Sequence, residues 1–372
     1  MDNPTESDTE RGRGVGRGPA APTAMKAIAY THRGGPDVLE LVERPIPEPG
    51  PGEVRVRVRV SGVNPTDWKA RGGGPTDWKG AAPGQALPAP QVPHQDGAGL
   101  LDAVGEGVDA GLLGRRVWIW EAAWMRPDGT AQEYVVLPAP QAVPLPDHAS
   151  YDLGACLGIP GFTAHRALTL PGSGPDRLGP GAWAGRTVLV AGGAGAVGNA
   201  AIQLARWSGA TVITTVSSPE KARLARAAGA EHVVDYRAAD AASAIRGVAP
   251  RGVDLVVEVA PAVNAELDQA VLAFGGTVVY YSNDGGNTLT LPVFDQFIAG
   301  TRWQGLLVYA VPPKAKAQAV ADLTAAVGAG ALRVGEAAGL PLHRYPLEKT
   351  AEAQRAVQDG TIGRVLVDVG EF

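Results

Sequence analysis

The sequence predicts an α/β protein in which a doubly wound parallel sheet is joined to a barrel-like β half. Three observations carry this. Between residues 53 and 60 valine alternates strictly with Glu or Arg, EVRVRVRV, which buries one face of a strand and wets the other. A glycine-spaced turn, AGGAGAVG, stands between the apolar run TVLVA and the helix-like run AVGNAAIQLA. Beyond it strands and helices alternate, the pattern of right-handed βαβ crossovers into a parallel sheet.

Taken in order, residues 1–24, MDNPTESDTERGRGVGRGPAAPTA, are polar and rich in Gly, Arg and Pro, and predict a disordered tail. Its three arginines lie among four acidic residues, which disfavours nucleic acid as a partner for RGRGVGRG. Met25 opens the first strand pattern, MKAIAY, so an initiator at Met25 is an alternative to any role for the tail. Residues 25–148 then give only short strand patterns, among them VLELVERP, GAGLLDAVG, RRVWIWEAAW and AQEYVVLP, punctuated by Gly and Pro. The pentapeptide PTDWK occurs twice in this half, at 65–69 and 75–79, and reads as a local duplication that lengthens a loop. Residues 149–305 carry the alternating half: a broken helical run, TVLVA with its glycine turn, TVITTV followed by SPEKARLARAAGA, then HVVDY, DLVVEVA and GTVVYYS. From residue 306 to GRVLVDVGEF at the end, β character returns and is expected to pair with the first half.

Hydrophobic residues make up 45% and charged residues 19%, with 50 Gly and 31 Pro, which describes a soluble globular chain with many tight turns. A net charge of −5 argues against nucleic acid or an acidic membrane as partner and suits a small, uncharged molecule. One cysteine, Cys156, excludes an internal disulfide and fits a reducing compartment, so the cytoplasm is expected. No apolar run approaches the roughly 18 residues of a membrane span, and no secretory apolar region opens the chain.

Gly192, Gly195 and Gly198 form GxxGxxG between strand and helix. Such glycines let the chain bend tightly and bring backbone N–H groups, here including those of Ala196 and Val197, to a pyrophosphate at the helix N-terminus. An NAD site places Asp or Glu about 20 residues further on to bond the ribose hydroxyls. Here the position reads TTVSSPEK, with Ser217 and Ser218 where an acid would stand and Lys221 just beyond. A phosphate is accommodated and a carboxylate is missing, which favours NADPH as cofactor; the alternative for Lys221 is a solvated helix lysine.

From Met25 to the end the chain resembles the medium-chain dehydrogenase/reductases, specifically the zinc-free quinone oxidoreductase (zeta-crystallin-like) branch. The resemblance rests on MKAIAYTHRGGPDVLELVERPIPEPGPGEVRVRV, GVNPTDW, GIPGFTAHRAL, AGGAGAVG and SSPEKARLARAAGAEHVVDYR, in that order. It implies a Rossmann nucleotide-binding domain and a GroES-like catalytic domain. Zinc-dependent relatives place a Cys where this chain has Asn64, a His at Gln95 and a second Cys near Ile159. His94 is one residue out of register and Cys156 three, so no metal is expected.

Without a Lewis acid, a reaction that builds an alkoxide loses its main stabiliser, whereas a conjugated acceptor spreads the charge over its own π system. The expectation is therefore hydride transfer from NADPH to a quinone. The alternatives are reduction of an α,β-unsaturated carbonyl or enoyl thioester and, from another class, NADPH binding without turnover by a sensor or structural protein. The resemblance puts Asn64, Lys69 and Gln95 in the catalytic pocket, with Lys69 where some relatives carry a tyrosine. It puts Thr163, Ser282 and Asn283 at the nicotinamide, and Tyr236 beside Lys221 at the 2′-phosphate. A structural turn amide is the alternative for Asn64, and a capping or core hydroxyl for Thr163. Trp118, Trp120 and Trp124 read as core or rim of a strand, with stacking on a quinone assigned to none. Relatives pair through the edge of the nucleotide-binding sheet, which implies a homodimer through GTRWQGLLVYAV.

Overall fold

The structure is a computed structural model and describes residues 23–73, 84–170, 172 and 174–370. The tail through residue 22 and the second PTDWK copy lie outside the described residues. Residues 23 and 24 are described, and the first strand begins at Ala24, inside the segment expected to be tail.

The β-rich half comprises β1 (Ala24–His32), β2 (Glu40–Pro45), β3 (Glu53–Gly62), helix α1 (Pro65–Gly72), β4 (Ala86–Gln91), β5 (Asp96–Val104), β6 (Arg116–Ile119), β7 (Tyr134–Pro138) and β8 (Ala142–Pro144). β3 is its spine, pairing antiparallel with β5 and with β7. Val54, Val56, Val58 and Val60 are at most 1% exposed, while the intervening arginines are half-buried, so the alternation does fix the face. α1 starts directly after β3 with Asn64 as its N-cap and Pro65 as its first residue.

The second half follows as α2 (Tyr151–Gly154), α3 (Phe162–Leu168), β9 (Thr187–Ala191), α4 (Ala196–Trp207), β10 (Thr211–Val216), α5 (Pro219–Ala227), β11 (His232–Asp235), α6 (Ala241–Val248), β12 (Val253–Glu258), α7 (Pro261–Val271), β13 (Leu272–Tyr280), α8 (Val293–Ala299), β14 (Arg302–Gly305) and α9 (Pro313–Gly328). Its six strands run in the order β11-β10-β9-β12-β13-β14, all pairs parallel. The order reverses between β9 and β12, which opens a crevice at the carboxyl ends of those strands. This is the doubly wound Rossmann sheet that the alternation predicts.

The stretch from residue 306 departs from the expected β character. It contains the sixteen-residue helix α9, whose Ala319, Leu323, Ala326 and Val327 are buried in the same core as Val188 and Ile202. The chain thus stays with the parallel-sheet half through α9. An alanine-rich helix shows little contrast between its faces, which hides it from a periodicity reading. The return comes afterwards, with β15 (Leu342–Pro346), α10 (Thr350–Gln358) and β16 (Arg364–Asp368), where β16 pairs antiparallel with β3. No helix among the described residues is long and apolar enough to cross a membrane.

Candidate active site and cofactor cleft

The glycine turn has the shape a pyrophosphate requires. Gly192 leaves β9 with φ of 67°, a left-handed value that glycine adopts without strain. A Cβ at Gly198 would stand 2.4 Å from the Gly192 carbonyl oxygen, so only glycine allows α4 to pack this close to the turn. Gly195 is the exposed N-cap of α4, followed by half-buried Ala196 and Val197, and no side chain caps the helix. The first N–H groups of α4 are left for a ligand.

At the far end of the crevice the strand register assembles the predicted phosphate edge. Val216 of β10 lies opposite Asp235 of β11, so Ser217 and Tyr236 leave their strands side by side, and the Tyr236 N–H donates to Val216 O at 3.2 Å. Ser218 caps α5 by accepting from the Lys221 N–H at 3.2 Å, and the Lys221 ammonium folds back onto Ser217 Oγ at 3.1 Å. Two hydroxyls, an exposed phenol and an ammonium therefore share one rim without a carboxylate on Ser217 or Ser218.

The start of α1 is built differently from the expectation for Asn64. The side chain is 1% exposed; its Nδ2 donates to Asp96 Oδ2 at 2.7 Å and its Oδ1 accepts from Arg364 Nη1 at 2.6 Å. Arg364 also donates to Asp96 Oδ2 at 2.8 Å and to the carbonyls of Val63 and Ala155, while the Ile159 N–H donates to Asp96 Oδ1 at 2.8 Å. Burial pushes the Asp96 carboxyl up, and the guanidinium and these donors oppose that push. Asn64 thus belongs to a buried knot that joins the end of β3, β5, β16 and the kinked run before α3. Beside it, burial drives Asp67 up to about 8 although the Asn64 N–H donates to its Oδ2 at 2.6 Å.

Lys69 and Asn283 come from different halves and meet: the ammonium donates to Asn283 Oδ1 at 3.1 Å. Asn283 and Ser282 follow the end of β13, with Ser282 Oγ donating to Asp284 at 2.8 Å. Gln95 accepts from the Ala123 N–H at 3.1 Å through Oε1, and among the described residues its Nε2 has no hydrogen-bond partner. Thr163 is buried on the first turn of α3, 4% exposed. The sequence reading missed Arg364 and Asp96, which carry no local signal, and Tyr309, whose phenol donates to Thr66 Oγ1 at 3.2 Å across the same cleft. A surface depression of about 540 Å³ opens between α7 and α8, around Gln269, Thr290 and Asp295, apart from all these groups.

A glycine turn at the switch point of a parallel sheet, facing a β half through a narrow polar cleft, defines a nucleotide-dependent oxidoreductase of two parts. Residues 50–147 match the family model described as an alcohol dehydrogenase GroES-like domain, and residues 196–326 the model of a zinc-binding dehydrogenase. A quinone oxidoreductase of Lama guanicoe is 31% identical over 351 residues, covering 92% of this chain and 97% of that protein. The crystal structure of an NAD-dependent alcohol dehydrogenase superposes with a TM-score of 0.78 at 30% identity, over 93% of this chain and 100% of that one. A native mycobacterial protein complexed with NADPH gives 0.74 at 29% identity, over 92% of this chain and 99% of that one. The chain belongs to the medium-chain dehydrogenase/reductase superfamily, in its zinc-free quinone oxidoreductase branch.

The zinc named in the second family model does not fit these residues. The position of one ligand is Asn64, whose oxygen already receives a guanidinium; the others are Gln95, whose oxygen receives a backbone N–H, and Ile159. Cys156 is buried and its thiol is pushed up to about 11, chiefly by burial, which keeps it protonated rather than a thiolate ligand. Neighbouring His94 is buried and pushed down to about 3 by burial and by Arg364, with its Nδ1 2.9 Å from Ser61 Oγ.

Proposed function

We propose that this protein is a zinc-independent reductase that passes hydride from NADPH to a quinone. The observation that carries the reading is the pairing of two features: a cofactor rim of Ser217, Ser218, Lys221 and Tyr236, and a pocket whose metal positions are taken by Asn64, Gln95 and Ile159. NADPH supplies a hydride equivalent to the acceptor, and a proton from solvent completes the hydroquinone. The N–H groups of Ala196, Val197 and Gly198 would hold the pyrophosphate, with Gly192 and Gly195 shaping the turn, and Lys221 and Tyr236 would hold the 2′-phosphate. Thr163, Ser282 and Asn283 would border the nicotinamide.

The Lys69 ammonium stands at the seam of the two halves, where it offers positive charge to the acceptor oxygen as negative charge develops there. Gln95 offers Nε2 as a second donor. Asn64 acts at one remove, by fixing the start of α1 and thereby Lys69. Support for the quinone also comes from the curated quinone oxidoreductases at about 30% identity. We place the protein in the cytoplasm as a homodimer formed along β14.

The test is NADPH oxidation by metal-stripped protein with 1,4-benzoquinone, 9,10-phenanthrenequinone and 2-cyclohexenone offered separately and NADH as control. Turnover of quinones that chelator leaves untouched, with NADPH preferred and the preference reduced about ten-fold in Lys221→Ala, is the expected result. Reduction of the enone alone replaces quinone by enone as the acceptor, and NADPH binding without turnover of any of them removes the enzyme reading.

A further inference from the structure

Among the described residues, three that are not glycine hold left-handed backbone, and two of them, Glu121 at φ 51° and Met125 at 58°, bound one short turn. Left-handed backbone disfavours a side chain and persists only where surrounding contacts over-determine it. Arg126 closes this turn on itself, its Nη2 donating to Glu121 O at 2.9 Å and its Nε to Ala122 O at 3.0 Å. The Ala122 N–H donates to Gln95 O at 3.0 Å and the Ala123 N–H to Gln95 Oε1 at 3.1 Å. The turn therefore grips both the backbone and the side-chain amide of Gln95.

A third contact leaves the β half. The Glu121 side chain, on a residue 4% exposed, pairs with Lys316, which lies on the first turn of α9, is 9% exposed and donates to Glu121 Oε2 at 2.8 Å. The same ammonium donates to the Tyr309 carbonyl at 3.0 Å and stands 5.7 Å from the centre of the Trp120 ring. α9 is packed in the core of the parallel-sheet half, so Lys316 is fixed to the part of the molecule that carries the glycine turn. A buried ion pair adds little stability over apolar residues of similar volume, which leaves geometry as what this one supplies.

We infer that the Glu121–Lys316 pair is a positioning device for the acceptor site: it ties the turn at 121–126, and through it the Gln95 amide, to the half that holds NADPH. Hydride leaves one half and the donor to the acceptor oxygen stands on the other, so their separation is set where the halves are tied together. Glu121 and Lys316 are positioning residues that act through Gln95. The inference rests on the proposed role of Gln95 as a donor and goes beyond it by naming what holds that donor in place.

Lys316→Met alone would leave the Glu121 carboxylate buried and bare, so the variant to measure combines Lys316→Met with Glu121→Gln. With an acceptor that the wild type reduces, kcat should fall about ten-fold while the acceptor KM and the NADPH Kd change by less than about two-fold, the mark of a displaced transition-state donor. Gln95→Leu should lower kcat by at least as much, and adding the paired substitutions to it should cause no further loss. An unchanged kcat in the paired variant, a loss that falls on NADPH affinity instead, or losses that multiply in the combined variant overturn the inference. Undiminished kcat in Gln95→Leu removes the donor role and the inference with it. If the paired variant does not fold, Lys316→Arg, which keeps the charge and alters the reach, takes its place with the same readings. If the wild type turns over no acceptor, the proposed activity fails separately and hydrogen exchange decides the positioning. Ala122 and Ala123 N–H groups that exchange about ten-fold faster in the variant support it, and unaltered exchange rejects it.

Discussion

Arg364 touches three separated parts of the chain, through Val63 and Asn64, through Asp96 and through Ala155, and is itself 2% exposed. A guanidinium is suited to this because its planar fork supplies several donors of fixed geometry and stays charged when buried. Removing one member of such a buried pair leaves the other uncompensated, which costs more than the pair contributes. Arg364→Met should therefore destabilise the fold by about 3–5 kcal/mol in urea unfolding. Asp96→Asn combined with Arg364→Met should recover part of that loss, because no bare carboxylate then remains. Additive losses in the double variant would show that the two residues do not share one interaction. None of this was legible from sequence, where Arg364 is one arginine at the start of a strand, 300 positions from Asn64. What was legible is the residue type at the metal positions, because Asn, Gln and Ile exclude a ligand set whatever surrounds them.

At the next scale, the end of β12 and the middle of α7 are joined by two acids, Glu258 and Asp268, at most 1% exposed. Glu258 Oε1 accepts from Asn264 Nδ2 at 3.0 Å and from the Ala260 N–H, while among the described residues Glu258 Oε2 and Asp268 Oδ2 meet no N–H donor. The two carboxyls are in hydrogen-bond contact, and Asp268 is held well above the usual carboxylate range by burial and by Glu258. Two carboxyls so placed favour a state in which they share one proton. A folded pKa raised above the unfolded one makes stability complete below about pH 4 and lessens it as pH rises towards the folded value. Asp268→Asn puts a permanent donor where the shared proton sits. Wild-type Tm should fall as pH rises above the ordinary carboxylate range by more than that of the variant, with about 2 °C for each kcal/mol. Asp67, also raised, titrates in both proteins and cancels in the comparison; parallel Tm curves would refute the shared proton. Elements differ in how plainly sequence announces them. The glycine turn and the valine alternation are legible because Gly198 and Val54 to Val60 each obey a steric rule that acts within a few residues. α9 is not, since its burial depends on α3, far away in the chain.

Across the whole molecule, the parallel sheet has β11 at one edge and β14 at the other, where among the described residues β14 pairs only with β13. β14 is short, Arg302–Gly305, and its exposed backbone edge is a template for another strand. Beside it stands a cluster of exposed apolar side chains: Phe274 at 85%, Val293 at 79%, Phe294 at 64% and Phe297 at 67%. An isolated exposed Phe needs no explanation, but several on adjoining elements next to an open edge mark a contact surface. A twofold axis through the edge would let β14 pair with itself in a second copy, with the phenylalanines of each copy covering those of the other. Specific interfaces of this kind bury about 1,200–2,000 Å² in total, within reach of a strand edge plus two helices' worth of flank. The wild type is therefore expected to be a dimer by light scattering at micromolar concentration. Phe294→Glu combined with Phe297→Glu should give monomers, since a carboxylate buried against its symmetry mate would be repelled as well as desolvated. The variant should keep its far-UV circular dichroism and NADPH binding, because neither phenylalanine is buried in the described chain. A wild type that is monomeric at that concentration, or a dimer that survives both substitutions, would move the interface away from β14.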